Sequence, residues 1–442
     1  FRNCTSLNNT LSIPANITTI GDSAFSHCPF GGGLSIAKDT TNLNIGQNAF
    51  EYTNFNCPLD FRKLTNIEKL TIGYKAFLNS TISSLFFPEE IQVFSIDSYA
   101  FHGSGIKNGS GNIAPLVIPK YITDLPYSCF GGCTLLSIVV LPDETMSYGG
   151  DLFNGCSGLT KVTLPCNVPM SSGMFYGTNI KELVVTPGLT DLNISTSNTF
   201  YSVSDVLNYR LDNSSNSSLK IKGYMELTKN YSSTPWASTL TTATIKDGVL
   251  NLSDYVFYNC TQLRTLSIPV DCNVLSAVYY HKDYTLPVSA LNRREVLYDG
   301  CERYSDYYGD GCIHCKNRGL TDTNTVKYSL SAVLSNCTNY TYNKNVFTNV
   351  FSTKDTSTQN KQLNRLILTK GLASNGTVGS SSSTKKFKGN FVYTQVDSDS
   401  NLKGLIPWMQ NENFEMLTVE PGVVVIPNRM FSDAKGLINI VM

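Results

Sequence analysis

The chain has 442 residues, more than one compact core ordinarily serves, and its 34 lysines and arginines equal its 34 aspartates and glutamates. That balance argues against a broad basic footprint for nucleic acid or an anionic membrane, and apolar runs such as Leu135 to Leu141 are far shorter than the about 20 residues a membrane helix needs. The composition is that of a soluble protein or a soluble ectodomain.

Along the chain, Phe1, Phe25, Phe50, Phe77, Phe101, Phe130, Phe153, Phe175, Phe257 and Phe431 each open one phrase: Phe-x-x, a small residue, then an aliphatic. Spacings through Phe175 are 24, 25, 27, 24, 29, 23 and 22. Ile-Gly precedes the phrase at Ile20-Gly21, Ile45-Gly46 and Ile72-Gly73, and an aliphatic-proline close occurs at Ile13-Pro14, Ile118-Pro119, Leu164-Pro165 and Ile268-Pro269. A period in the twenties predicts a solenoid, whose coils bury their apolar residues only against stacked neighbours.

Each coil is predicted from residue periods. Leu-x-Ile-Pro alternates in and out as a strand does, and proline ends it because it cannot donate to the next ladder. A second short extended segment runs to Ile-Gly, where glycine permits the turn. Ala-Phe-x-x-Cys is too short for a stable helix and predicts one helical or 3₁₀-like turn, with the phenylalanines stacked in an internal ladder.

These residues resemble the BspA-like, or Treponema-type, leucine-rich repeat family. The resemblance implies a β-rich leucine-rich-repeat solenoid with coils of about 23–25 residues, a parallel sheet face, short turns and inserted loops. It is close from Phe1 to about Phe200, so residues 1–200 are expected to hold regular repeats. Residues 201–442 are expected to hold degenerate ones, continuous with the same solenoid, with a Tyr/Cys-rich insertion at 279–320 and a Ser-rich one at 374–388. Recognisable coils return at Ile245 to Pro269 and Leu417 to Ile440. Phe1 falls in mid-repeat and Met442 inside another, which reads as a segment or processed form.

Of the thirteen cysteines, Cys4, Cys28, Cys133, Cys156, Cys260, Cys301 and Cys337 share one repeat slot that elsewhere takes Ser, Thr or Ala. The slot therefore asks for a small buried side chain, and free cysteine serves as one. Cys312-Ile-His314-Cys315 lies outside the ladder. Without a second pair at metal-finger spacing it reads as a disulfide or as thiols, and no metal or cofactor is expected.

Catalytic signatures are missing: no His-Glu-x-x-His, no Gly-x-Ser-x-Gly, no phosphate loop, and only four histidines. His27 and His102 lie within two residues of anchor phenylalanines and read as exposed turn residues. Asp397-Ser-Asp399-Ser-Asn401 resembles the opening of a calcium loop but has Leu402 in place of the glycine and Trp408 in place of the bidentate glutamate. No enzymatic activity is expected.

Candidate binding residues are Tyr279, Tyr280, Tyr284, Tyr304, Tyr307, Tyr308 and Arg303, a Tyr/Arg mixture enriched at recognition surfaces; the same rings would also serve to cover the flank of the solenoid. The tract Ser374 to Lys388 is expected to be a mobile polar loop. Sequons stand at Asn3, Asn8, Asn16, Asn79, Asn108, Asn193, Asn213, Asn216, Asn230, Asn251, Asn259, Asn336, Asn339 and Asn375, glycosylation candidates if the source is a eukaryote.

The family resemblance implies an extracellular or cell-surface protein that binds other proteins or glycans, with adhesion as the usual assignment. Outward strand positions Ser12, Phe86, Val117, Thr163, Val184 and Ser267 are mixed and nearly uncharged, which suits a protein or glycan better than a polyanion. The alternative is a structural subunit of an extracellular filament or surface layer. If Phe1 and Met442 were mature termini, uncapped end coils would stack head to tail between molecules.

Overall fold

The computed structural model describes residues 1–143, 147–166, 168, 173–188, 234–249, 252, 256–257, 260–269, 364–369, 414–423, 431 and 434–442. It divides into two compact units, one of Phe1–Leu189 with Leu227–Thr242 and one of Thr190–Glu226 with Ala243–Met442.

The first unit is a parallel β-solenoid. Its strands are β1 (Leu11–Ile13), β2 (Thr19–Ile20), β3 (Leu34–Ile36), β4 (Asn42–Ile45), β5 (Pro58–Asp60), β6 (Lys69–Ile72) and β7 (Ser84–Phe86). They continue as β8 (Val93–Ile96), β9 (Leu116–Val117), β10 (Asp124–Leu125), β11 (Ile138–Val140), β12 (Ser147–Tyr148), β13 (Lys161–Pro165) and β14 (Glu182–Thr186). The Leu-x-Ile segments form one row of sheets, β1-β3, β5-β7 and β9-β11-β13-β14, and the segments leading to the glycine turn form a second, β2-β4-β6-β8 and β10-β12. Register keeps like on like: Leu11 faces Leu34, Leu43 faces Leu70, and Val162 faces Leu183. Period-2 alternation sends Ile13, Ile45, Ile72, Leu164 and Val185 into the interior, where all are buried. Proline acts as expected: Pro14 follows β1, while Pro165 is the last residue of β13.

The second unit contains β15 (Thr242–Ile245), β16 (Thr265–Pro269), β17 (Arg365–Thr369), β18 (Met416–Val419) and β19 (Asn439–Val441), parallel neighbours in that order. Leu266, Leu366, Leu417 and Ile440 are in register. β16 bonds directly to β17, with Thr265 facing Arg365. Ser267 shares the register of the outward positions but is only 9% exposed, a correction to its assignment as an outward residue.

The third side of each first-unit coil is the anchor turn. Rings of Phe1, Phe25, Phe50, Phe77, Phe101, Phe130, Phe153 and Phe175 stack with centroids 5.2–5.7 Å apart and planes within 3–20°. From Phe50 to Phe175 they are fully buried. Trp236 takes the next place, 6.3 Å from Phe175.

The expected 3₁₀-like turn is present on alternate residues only. Ala49, Glu51 and Thr53 donate to the carbonyls three residues back, while Asn48, Phe50 and Tyr52 donate across to Tyr74, Ala76 and Leu78 of the next coil. The same pattern runs from Lys75, Phe77 and Asn79 to Ser98, Ala100 and His102, and from Tyr99, Phe101 and Gly103 to Tyr127, Cys129 and Gly131. This needs left-handed backbone two residues before the phenylalanine (Ser23, Asn48, Lys75, Tyr99, Ser128, Asp151) and two after it (His27, Tyr52, Asn79, Gly103, Gly132, Gly155), all at positive φ. The crossing peptides all point their N–H groups toward the later coil. Their dipoles therefore align along the stack, as peptide dipoles do in a helix.

The small-residue slot has a second requirement that size alone does not show. Cys28 donates its thiol to the Phe1 carbonyl (2.9 Å), Thr53 its hydroxyl to Phe25 (3.0 Å), Cys133 to Phe101 (3.1 Å) and Cys156 to Phe130 (3.1 Å). Ser104 and Thr178 instead bond their own anchor carbonyl. The Ser80 hydroxyl makes no hydrogen bond. These buried thiols fill space and donate hydrogen bonds.

The longer spacings are accommodated at two places. Between Phe50 and Phe77 the chain inserts a 3₁₀ turn, Phe61–Lys63, capped by Asp60, which also pairs with Arg62 at 2.8 Å. Between Phe101 and Phe130 it inserts a loop around Asn108. Its buried side chain accepts from Leu85 N–H (2.9 Å) and donates to the Leu85 carbonyl (3.0 Å). An amide thus stands in for a strand partner where the first row breaks between β7 and β9.

Replacing Phe130 with alanine is expected to cost about 3–5 kcal/mol of stability by opening the ring column, measured by denaturant unfolding of the whole chain. Thr53→Val preserves shape but leaves the Phe25 carbonyl without its hydroxyl donor, and is expected to cost about 1–3 kcal/mol in the same assay.

Candidate functional site

Several of the left-handed positions and their neighbours carry exposed or half-buried side chains, among them His27, Tyr52, Tyr74, Lys75, Tyr99 and Tyr127. On three successive coils this gives a row of aromatic rings: Tyr74, Tyr99 and Tyr127. Tyr74 and Tyr99 meet at 5.9 Å and 85°, and Tyr99 and Tyr127 at 5.5 Å and 60°. The His102 ring lies 5.5 Å from Tyr99 at 64°. Such edge-to-face geometry is favoured by the ring quadrupoles. Lys75 places its ammonium 5.0 Å from the centre of the Tyr74 ring and 5.8 Å from that of Tyr99. Tyr127 is 43% exposed, and the other rings are half-buried.

Two polar groups of this row, Tyr127 and His102, have hydrogen-bond partners beside it. Tyr127 donates its hydroxyl to the Asp151 carboxylate, and this bond pushes the phenol pKa up to about 12. The His102 Nδ1 lies 3.0 Å from the Ser128 hydroxyl. Burial, with Lys75 nearby, holds the imidazole pKa below its ordinary value and so keeps the ring neutral at physiological pH. The charges beside the row are Lys75, Asp97 and Asp151. Beyond Tyr127 the next coil presents Gly150, and the aromatic run stops.

A second, smaller pair lies at the positions two after the anchor: His27 and Tyr52 approach to 4.9 Å at 32°, both exposed. The His27 Nδ1 is 2.8 Å from the Ser26 hydroxyl. Both histidines belong to the turns; His27 is exposed as expected, whereas His102 is half-buried beside Tyr99. Among the described residues no group of three or more His, Cys, Asp or Glu has the geometry to hold a metal ion.

The sequence-derived binding candidates Tyr279, Tyr280, Tyr284, Arg303, Tyr304, Tyr307 and Tyr308 lie outside the described residues, as do Cys312, Cys315 and the Asp397 to Asn401 run. Sequence reasoning missed the Tyr74 row because its members occupy different repeat positions, three, two and three residues before their anchors. The signal that could have found it is tyrosine recurring just ahead of Ala-Phe or Cys-Phe on neighbouring coils.

Of the sequons in the described residues, Asn3, Asn8, Asn16 and Asn79 are exposed. Asn108 is fully buried, and its Nδ2, the atom a glycan would occupy, also donates to the Ala114 carbonyl at 3.2 Å. Its role is structural, and it is no acceptor in the folded chain.

Two outcomes are expected. Between pH 10 and 12 the folded chain retains the Tyr127 proton that the unfolded chain releases, so stability falls as pH rises through that window, and Asp151→Asn should remove that part of the slope. Spectrophotometric tyrosine titration with unfolding at each pH measures it. Glycopeptide mass spectrometry after expression in a glycosylating host should find Asn108 unmodified, and Asn108→Ala should destabilise the chain by about 1–3 kcal/mol by stranding the Leu85 groups.

Comparison with known proteins matches the repeat architecture. The chain has no significant match among curated proteins. Among solved structures, a leucine-rich repeat protein from Bacteroides ovatus ATCC 8483 is 16% identical with a TM-score of 0.29, over 62% of this chain and 75% of that one. One from Eubacterium ventriosum ATCC 27560 is 13% identical with a TM-score of 0.24, over 61% and 71%. A leucine rich cell surface protein from Faecalibacterium prausnitzii A2-165 is 15% identical with a TM-score of 0.17, over 60% and 74%. Those scores are too low to carry an argument, and the assignment rests on the repeats: the BspA type Leucine rich repeat region matches residues 1–107, 70–206 and 190–286 in six copies. Matched along more than half its length, the chain belongs to the BspA-type leucine-rich repeat family.

Proposed function

We propose that the chain is an extracellular or cell-surface recognition scaffold, an adhesion-type repeat protein that binds proteins or glycans and catalyses no reaction. The observation that carries this reading is the translational order of the first unit. Coils whose anchor rings stack 5.2–5.7 Å apart present side chains in rows, and an extended partner can engage several coils at once. The rows are mixed in character, with hydroxyls, amides and tyrosines and few charges, which favours a neutral or mixed partner over a polyanion. Exposed sequons and thiols sequestered in the packed column both suit an oxidising exterior. Among the described residues no helix is long and apolar enough to cross a membrane.

The test is binding of the purified intact chain to immobilised extracellular-matrix proteins and to a glycan array, with light scattering against concentration alongside. Saturable binding by a monomer supports the scaffold. Growth of particle mass with concentration, with no ligand bound, would replace it with the self-assembling alternative.

A further inference from the structure

We propose that the Tyr74, Tyr99 and Tyr127 row is a binding strip for an uncharged, extended β-linked glycan. This rests on the recognition reading above and names the ligand class of one site. Three features of the row point to that chemistry.

The first is period. The rings advance 5.9 and 5.5 Å from coil to coil, a step comparable to the advance per sugar of an extended β-linked pyranose chain. A ligand repeating near that interval meets one ring on each coil, whereas a ligand of another pitch drifts out of register after one contact.

The second is chemistry. A pyranose has an apolar face of C–H groups and a rim of hydroxyls. Tyrosine offers a ring for the face and a polar tip for the rim. Beside the rings stand the half-buried His102 imidazole and the Asp151 carboxylate.

The third is charge and width. Lys75 stands among the carboxylates Asp97 and Asp151, so the strip has no positive field to draw a polyanion. It is also narrow, one ring per coil, and ends at Gly150. A stable protein partner requires about 1,200–2,000 Å² of buried surface with an apolar core, which a single line of half-buried rings does not supply. Tyr99 holds the centre of the strip from a left-handed backbone position, φ 59°, fixed by the crossing hydrogen bond from its N–H to Tyr127. The rings are therefore pre-positioned by the coil, and binding need not order them.

Titration calorimetry of the intact chain with cello-oligosaccharides from dimer to hexamer provides the test, with curved α-linked malto-oligosaccharides as the comparison ligand. Affinity for the β-linked series is expected to rise until three sugars are covered and then to level, to exceed that for the α-linked series, and to change little with salt. Tyr127→Ala and Tyr74→Ala should each weaken binding about tenfold, about 1.4 kcal/mol, while Tyr176→Ala, outside the strip, should bind nearly as the parent does. Equal binding of both series, or equal loss in Tyr127→Ala and Tyr176→Ala, would overturn the assignment. If the cello-oligosaccharides do not bind while the same preparation still binds a matrix protein, the glycan strip is wrong and the scaffold reading survives. If neither binds, both readings fall.

Discussion

The structure of the first unit depends on one constraint: the phenylalanine column can stack only if the turn carrying each ring bonds simultaneously to itself and to the next coil. The alternation of i→i−3 bonds with crossing bonds meets that demand. It does so by placing left-handed residues on both sides of each anchor, at a local steric cost to residues such as Lys75 and Tyr99. The stacked ring beneath and the crossing bonds above hold these conformations in place. The aligned crossing peptides give the stack a direction, with N–H groups toward the later coils.

That backbone determines what the surface can display. Several side chains at the left-handed positions and their neighbours leave the turn outward and fall into rows along the stack. Where a row happens to be aromatic, as at Tyr74, Tyr99 and Tyr127, neighbouring coils bring rings together that no single coil holds. The rigidity that stability requires of the column is thus the rigidity that a multi-point ligand benefits from.

The breaks in the first strand row follow the same accounting of hydrogen bonds. Between β3 and β5, the Leu34 N–H turns to the Cys57 sulfur at 3.2 Å, and between β7 and β9 the Leu85 groups turn to the Asn108 amide. Buried backbone groups that lose a ladder partner need another, and a side chain placed at the break provides it. A residue type that suggests a modification site or a disulfide half is here a substitute for a strand.

The repeat, its period, the strand positions and the ring column were legible in the sequence, because a residue that must meet its own copy one coil away has to recur at that interval. Phe25, Phe50 and Phe77 announce the column in this way, and the irregular intervals ending at Phe77 and Phe130 mark where extra chain is housed. Trp236 was not legible, since a different aromatic in the anchor slot breaks the phrase while filling the same space. Nor was the donor role of Cys133 and Cys156, because composition reports the size of a slot and not the carbonyl above it. Asn108 reads as an accessible sequon until the break in the sheet is seen around it. The Tyr74 row, finally, joins residues in different positions of their repeats. Only the tertiary stack decides that they touch, since adjacency across coils is set by the register of the turns and not by any spacing along the chain.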